Sequence, residues 1–329
     1  MPPKFLGGDE RWLDSEDRSP RPKHSRKAAP RRGFILRPEE GNAVVAEVFP
    51  NQSAVRRDGA GERLLCDYRM ASLAVGGAAR ERSPVCVGDR VRVQAGTITG
   101  RCERRNQLVR SAPNSRDPLL HVIAANIDCL VVVAAAREPE FSVGIIDRFL
   151  VAASAQGIPA LLCVNKTDLL GPGDERPWEL YPAAGVPVLE TSARSGAGAA
   201  ELRSRLRGQT AAFCGHSGVG KTSLLRRLLG DEACGRVAEL SAASGKGRHT
   251  TSGAVLLPGP KESNWIDTPG IMNFALVGVG RAGLLAHFKE LASAAALCGP
   301  GCAHEAEPAC VLRRLPRYHS YRQILGSLG

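Results

Sequence analysis

The sequence predicts a multidomain chain with an all-β unit first, an α/β unit in the centre and a short helical unit last. Three observations predict it. From Gly41 to about Ser111, short runs of strand-forming residues alternate with Gly and Pro turns. From about His121, apolar runs of strand length alternate with stretches of helical spacing. From Ala282 an Ala-rich helical stretch runs to Leu297 and into a knot of cysteines and a histidine. A chain of 329 residues is long enough for all three units.

Residues 1–40 are expected to form a disordered basic arm. Apolar residues are few there, and Pro, Ser, Arg and Lys dominate. Asp9, Glu10, Asp14, Glu16 and Asp17 come first. Arg18, Arg21, Lys23, Arg26, Lys27, Arg31 and Arg32 follow with no acid between them. Such a block either grips a phosphate backbone or is a solvated tail without a partner. The formal net charge of +11 points the same way, to nucleic acid or an anionic surface. No apolar run reaches membrane-spanning length and there is no signal-peptide core, so a soluble, cytoplasmic chain with no membrane contact is expected. Of ten cysteines, seven are scattered, mostly in apolar runs, as in a reducing compartment.

Residues 41–115 are expected to form the β unit. Strands are predicted at 41–48, 54–56, 64–66, 89–93 and 97–99. Five short strands in this length fit an OB-like barrel, a fold that often binds oligonucleotides. Arg101, Arg104, Arg105 and Arg110 crowd its exit, while Phe49 and Tyr68 are the sparse candidates for base stacking. A purely structural barrel is the alternative.

Residues 116–278 are expected to form the α/β unit, a mostly parallel sheet with helices on both faces. Its strands are predicted at 129–133, 160–164, 186–190, 210–214 and 264–267, with helices over 143–156 and 197–207 and another from Ser223. Between strand 210–214 and that last helix lies Gly215-His216-Ser217-Gly218-Val219-Gly220-Lys221-Thr222, which reads G-x-x-x-x-G-K-T. This is the phosphate loop of P-loop nucleotidases, in the strand-to-helix setting it needs. Backbone N–H groups of the loop and of Ser223 would close around phosphate oxygens. Lys221 would carry charge to the β- and γ-phosphates, and Thr222 would bind Mg²⁺.

Two further stretches specify the nucleotide as GTP, and two more serve its Mg²⁺ and γ-phosphate. Asn165-Lys166-Thr167-Asp168 ends a strand and has the N-K-x-D form that reads guanine. Asp168 accepts from the N1–H and the exocyclic amine, which adenine cannot supply together. Asn165 would tie the loop together and Lys166 would lie along the base. Ser192-Ala193 is the companion loop that reaches the guanine O6 through backbone N–H. Asp267-Thr268-Pro269-Gly270 is the D-x-x-G element, with Asp267 on Mg²⁺ through water and the Gly270 N–H at the γ-phosphate. Gly247-Arg248-His249-Thr250-Thr251 is the expected first switch, where Thr250 or Thr251 would complete the Mg²⁺ shell; a plain flexible loop is the alternative. The glutamine that orients water in Ras-type enzymes is missing, since Ile271 follows Gly270. His249 is the nearest polar candidate for the catalytic role, alongside Lys221.

The order of these elements is circularly permuted. N-K-x-D and S-A precede the phosphate loop instead of following it. In the last unit, residues 279–329, Cys298, Cys302, His304 and Cys310 supply three thiolates and an imidazole, the ligand set of a closed structural zinc site.

This combination resembles the ribosome small-subunit-dependent GTPase A family, the RsgA or YjeQ proteins. The resemblance runs from about 41 to 325. It includes Pro84-Val-Cys-Val-Gly-Asp-Arg-Val91, Arg105-Asn-Gln-Leu-Val-Arg110, Ala124-Ala-Asn-Ile-Asp128 and Arg317-Tyr-His-Ser-Tyr321. It implies an OB barrel, a permuted GTPase core and a helical zinc-binding tail. It also implies a monomeric, late-acting factor that binds GTP/GDP, contacts the 30S subunit and its 16S-type rRNA, and is stimulated by that subunit. The stretches between Cys298 and Cys302 and between Cys310 and Arg317 are shorter than the family pattern. A GTP-gated RNA-binding module of another ribonucleoprotein, with little hydrolysis of its own, is the competing reading.

Overall fold

The computed structural model describes residues 35–59, 63–68, 81, 83–110, 120–230, 253–268, 274–305 and 307–328. The expected arm up to residue 34, the expected first switch at 247–251 and the stretch 269–273 lie outside them.

The β unit is a five-stranded barrel. Strands β2 (Ala43–Phe49), β3 (Gln52–Arg57), β4 (Arg63–Asp67), β5 (Arg90–Gln94) and β6 (Thr97–Cys102) form the circuit β2-β3-β4-β6-β5, which closes on β2. All pairings are antiparallel except β4 with β6, which meet in parallel at Asp67 and Thr97. Alternation fills the interior: Val91 and Val93 of β5 are buried while Arg90 and Arg92 are half-buried on the other face. A short strand β1 (Ile35–Leu36) adds to β6 from outside, and a 3-10 turn follows at Pro38–Glu40. These last residues of the expected arm are therefore structured, because Leu36 is buried.

A two-stranded ribbon, β7 (Gln107–Arg110) with β8 (His121–Ala125), leads into the α/β unit. There β9 (Cys129–Ala135), β10 (Ala160–Asn165), β11 (Val188–Glu190), β12 (Thr210–Cys214) and β14 (Asn264–Asp267) run parallel, and β13 (Val255–Pro258) is an antiparallel edge. The order across the sheet is β11-β10-β9-β12-β14-β13. The period of two along β9 assigns its faces. Leu130, Val132 and Ala134 pack with α1 (Val143–Ala155), while Val131, Val133 and Ala135 share a core with α2 (Ala199–Arg205) and α3 (Lys221–Leu229).

The barrel is seated on this unit. Ala46 and Val87 enter the same core as Ala254, Leu256 and Ile266, and the Arg56 guanidinium donates to Asn264 Oδ1. The ribbon is tied to residues just past the D-x-x-G element: the Ala275 N–H donates to the Val109 carbonyl at 2.8 Å, and Phe274 bridges Arg110.

The last unit packs on α1. The helix expected over 282–297 is two pieces, a 3-10 segment Arg281–His287 and α4 (Lys289–Ala295). The break falls at Phe288, which leaves helical geometry and buries its ring edge-on against Tyr321 of α5 (Tyr318–Ser327), at 5.6 Å between centroids. Arg317 is the centre of the junction. Its Nε donates to Asp147 Oδ1 at 2.8 Å and its Nη1 to Glu290 Oε1 at 2.9 Å, with the Tyr181 and Phe288 rings 5.1 and 4.8 Å from the guanidinium carbon. Burial pushes the Asp147 carboxyl up, and the Arg317 charge pulls it back. Among the described residues no helix is long and apolar enough to cross a membrane.

Candidate functional site

The expected nucleotide residues gather at the carboxyl ends of the parallel strands, where open α/β sheets bind ligands. β12 runs out at Cys214 into the phosphate loop, and α3 starts at Lys221. Two glycines are dictated by close approach. A Cβ on Gly215 would lie 2.3 Å from the Val133 carbonyl oxygen, and one on Gly220 (φ +85°) would lie 2.4 Å from Asn165 Nδ2. The loop is thus pressed against both β9 and the N-K-x-D loop. Val219 is buried in the α2–α3 core, Ser217, Gly218, Thr222 and Ser223 are exposed, and the half-buried His216 ring rests its Nδ1 2.9 Å from the Ser217 carbonyl.

Asn165 is the junction of the rim. It is buried, its Nδ2 donates to the Val219 carbonyl at 2.9 Å, and its Oδ1 accepts from the Ala193 N–H at 2.9 Å. One side chain therefore joins three loops that are far apart in sequence. Lys166 sits in left-handed backbone geometry and its ammonium donates to the Glu138 carbonyl. Asp168 is exposed, and the Ser192 hydroxyl donates to its Oδ1 at 2.6 Å.

At the other end, the Lys221 ammonium lies 3.3 Å from Asp267 Oδ1. That oxygen is buried and makes no hydrogen bond of good geometry, so it faces the lysine as an ion pair. Burial pushes the Asp267 carboxyl up and the Lys221 charge opposes this. A buried carboxylate oxygen aimed at the phosphate-loop lysine, with the Thr222 hydroxyl exposed on the next residue, suits a hard cation such as Mg²⁺. His249, Thr250, Thr251 and Gly270 lie outside the described residues.

Some contributors were not singled out from sequence. Thr191 is buried beside Asn165, Thr268 Oγ1 donates to the Phe213 carbonyl at 2.7 Å and ties the residue after Asp267 to β12, and the Glu138 carbonyl holds Lys166. Asp147 did carry a signal, as a lone carboxylate on the apolar face of α1.

Away from this rim, Cys298, Cys302, His304 and Cys310 converge, all four ligand atoms lying within 4.8 Å of one another. Cys298 Sγ and Cys310 Sγ are 4.0 Å apart, and His304 Nδ1 is 3.4 Å from Cys302 Sγ and 3.7 Å from Cys310 Sγ. A tetrahedron on Zn–S bonds of ~2.3 Å and Zn–N bonds of ~2.05 Å has edges of about 3.6–3.8 Å. The three distances given fall close to those edges, so the cluster is compatible with a metal site. Glu307 braces it, accepting from the Ala303 and Glu305 N–H groups at 2.8 and 3.0 Å.

The RsgA GTPase family matches residues 101–277. The small ribosomal subunit biogenesis GTPase RsgA of Azotobacter vinelandii is 38% identical over 326 residues, spanning 93% of this chain and 91% of that protein. The protein of the same name from Chlorobaculum tepidum is 38% identical over 266 residues, spanning 74% and 85%. The crystal structure of YjeQ from Thermotoga maritima superposes with a TM-score of 0.63 at 27% identity, covering 88% of this chain and 98% of that one. YloQ, described as a circularly permuted GTPase, superposes with a TM-score of 0.59 at 22% identity, over 88% of this chain and 94% of that one, a likeness of fold. Matched by the family through its α/β unit and by these relatives over most of its length, the chain belongs to the RsgA GTPase family.

Proposed function

We propose that this chain hydrolyses GTP to GDP and phosphate and serves late maturation of the small ribosomal subunit, binding its 16S-type rRNA and being stimulated by the subunit. The observation that carries the GTPase reading is the Asn165 junction, which locks the guanine-reading loop, the Ala193 loop and the phosphate loop into one rim.

In this reading Asp168, steadied by Ser192, selects guanine, and Ala193 meets the O6 edge. The turn from Gly215 to Gly220, with Thr222 and Ser223 at the start of α3, surrounds the phosphates, and Gly270 meets the γ-phosphate. Water adds to the γ-phosphorus as the bond to the β–γ bridging oxygen breaks. Lys221 offsets the charge that spreads onto the phosphate oxygens. Mg²⁺, when bound with GTP, neutralises charge on the β- and γ-phosphates; Thr222, Asp267 and Thr250 or Thr251 would hold it. His249 positions the water, and the subunit stimulates that step.

Zinc on Cys298, Cys302, His304 and Cys310 would be structural, because four protein ligands leave no open position. The barrel is read as an OB fold: its closed circuit with one parallel pairing fits a five-stranded Greek-key barrel. The units divide as a basic arm (1–40), barrel (41–115), GTPase unit (116–278) and zinc-binding tail (279–329). The protein acts as a cytoplasmic monomer.

Turnover of GTP with and without purified small subunits, with large subunits as control, tests this reading. Stimulation of ~10²-fold or more by the small subunit alone is expected. The competing reading, a GTP-gated binder with little hydrolysis, draws on Ile271 standing where the water-orienting glutamine would be. Tight GTP binding without stimulated turnover would favour it.

A further inference from the structure

The cysteines of the described residues fall into two chemical classes. Cys66, Cys86, Cys102, Cys163 and Cys214 are buried in or beside the strands of the barrel and the sheet. Burial pushes their thiols up, to about 12 at Cys163, and it raises the half-buried Cys129 to about 11. An enclosed, protonated thiol is a poor nucleophile. Cys234 lies outside the described residues.

The tail cluster differs in both access and charge state. Cys298 and Cys302 are half-buried, and Gly299-Pro300-Gly301 between them is exposed, while Cys310 is buried. A metal held here would keep the sulfurs as thiolates, because a thiol must lose its proton to ligate. Thiolate character and access are the two properties that oxidation selects. The geometry supplies a pair as well. Cys298 Sγ lies 4.0 Å from Cys310 Sγ, whereas Cys302 Sγ rests against His304 Nδ1 at 3.4 Å. An S–S bond of ~2.05 Å requires the first two sulfurs to close by about 2 Å. The exposed turn after Cys298, with Gly301 at φ +77°, leaves that side of the cluster room to move.

We propose that Cys298 and Cys310 form an oxidative modification site whose substrate is hydrogen peroxide, and that their disulfide ejects the zinc. The proposal rests on the zinc reading above. The more accessible Cys298 thiolate attacks peroxide: an S–O bond forms, the O–O bond breaks and hydroxide leaves, giving a sulfenic acid. The Cys310 thiolate then attacks that sulfur: the S–S bond forms, the S–O bond breaks and a second hydroxide leaves. Two thiolates together lose two electrons and the peroxide gains them. With two of its four ligands gone, the metal is no longer held. Cys310 packs in the tail core with Phe288, Leu312 and Tyr321, and the Tyr318 hydroxyl donates to the Glu305 carbonyl at 2.9 Å. The ligand loop is thus fastened to α5, and its release loosens the tail without touching the nucleotide rim. In a reducing compartment such a disulfide is transient and is reversed by thiols.

The test uses the full chain, with its zinc content measured first. Hydrogen peroxide is then added in steps. A chromogenic chelator reads the released zinc, peptide mass mapping reads the disulfides, and hydrogen exchange reads the tail. About one zinc should be lost for each Cys298–Cys310 disulfide formed. Amides of residues 298–310 should exchange faster, and GTP affinity should be unchanged. A thiol reductant with added Zn²⁺ should restore both the metal and the slow exchange. The C129S variant should release zinc at the wild-type rate, which separates the cluster from the half-buried thiol of the sheet. Zinc that stays bound while other cysteines oxidise overturns the proposal and leaves the zinc reading standing. Release with a disulfide to Cys302, or release that reductant and Zn²⁺ do not reverse, overturns it too. If the untreated chain carries no zinc, the zinc reading itself fails.

Discussion

The Ser192 hydroxyl donates to Asp168 Oδ1 at 2.6 Å and itself accepts from the Ser195 N–H at 3.0 Å. The carboxylate that would meet guanine is thereby held from behind by a side chain of the neighbouring loop. Asp168→Asn should lower GTP affinity roughly 10²-fold or more and shift preference toward xanthine nucleotides, because one acceptor becomes a donor. Competition binding with GTP, ATP and XTP checks this. A wild type that binds ATP as well as GTP would sink the guanine assignment.

Metal analysis should find about one zinc per chain. Cys310→Ser should lose it. A chelator should unfold the tail and leave GTP binding intact, since the nucleotide rim is built from other strands and loops. A tail that is folded and metal-free would refute the zinc assignment.

Deleting residues 1–40 should reduce the salt dependence of RNA binding and leave basal GTP hydrolysis unchanged. The truncation also removes β1, so a melting curve should accompany the binding series. Salt-independent binding would point to protein contacts instead.

His249→Ala should retain GTP affinity and small-subunit binding but lose stimulated turnover, by about 10²-fold. Full stimulation in that variant would move the catalytic role to a group supplied by the subunit.

Arg317→Leu should be strongly destabilising, by about 3–5 kcal/mol, because it strands Asp147 and Glu290 without their cation. Adding Asp147→Leu should recover part of the loss. Urea unfolding of the two variants and the wild type measures this, and additive losses would show that the pair does not act as a unit.

Local pattern made much of the molecule legible. The alternation of Val91 and Val93 with arginines predicted β5, and the strand-to-helix setting of Gly215–Thr222 placed the phosphate loop before any fold was drawn. What stayed hidden depends on distant partners. Asp147 and Arg317 are 170 residues apart, and neither position announces the other. Phe288 breaks a stretch with good helical propensity because its ring is worth more buried against Tyr321 than a continuous helix is. β1 is too short to carry a period, and residues 107–110 find their strand partner only in β8.

Strand β14 is four residues long, with Asn264 at one end receiving a bond from Arg56 of the barrel and Asp267 at the other facing Lys221. Ala254 and Ala275, flanking the two expected switches, are likewise held to the barrel and its ribbon. If the barrel binds RNA as proposed, such wiring would make RNA and nucleotide thermodynamic readers of each other. If exchanging GDP for GTP changes RNA affinity by some factor, bound RNA must change the GTP-to-GDP affinity ratio by that same factor. A substitution at Arg56, nowhere near the nucleotide, should then shift nucleotide preference when RNA is bound and leave it alone when RNA is absent.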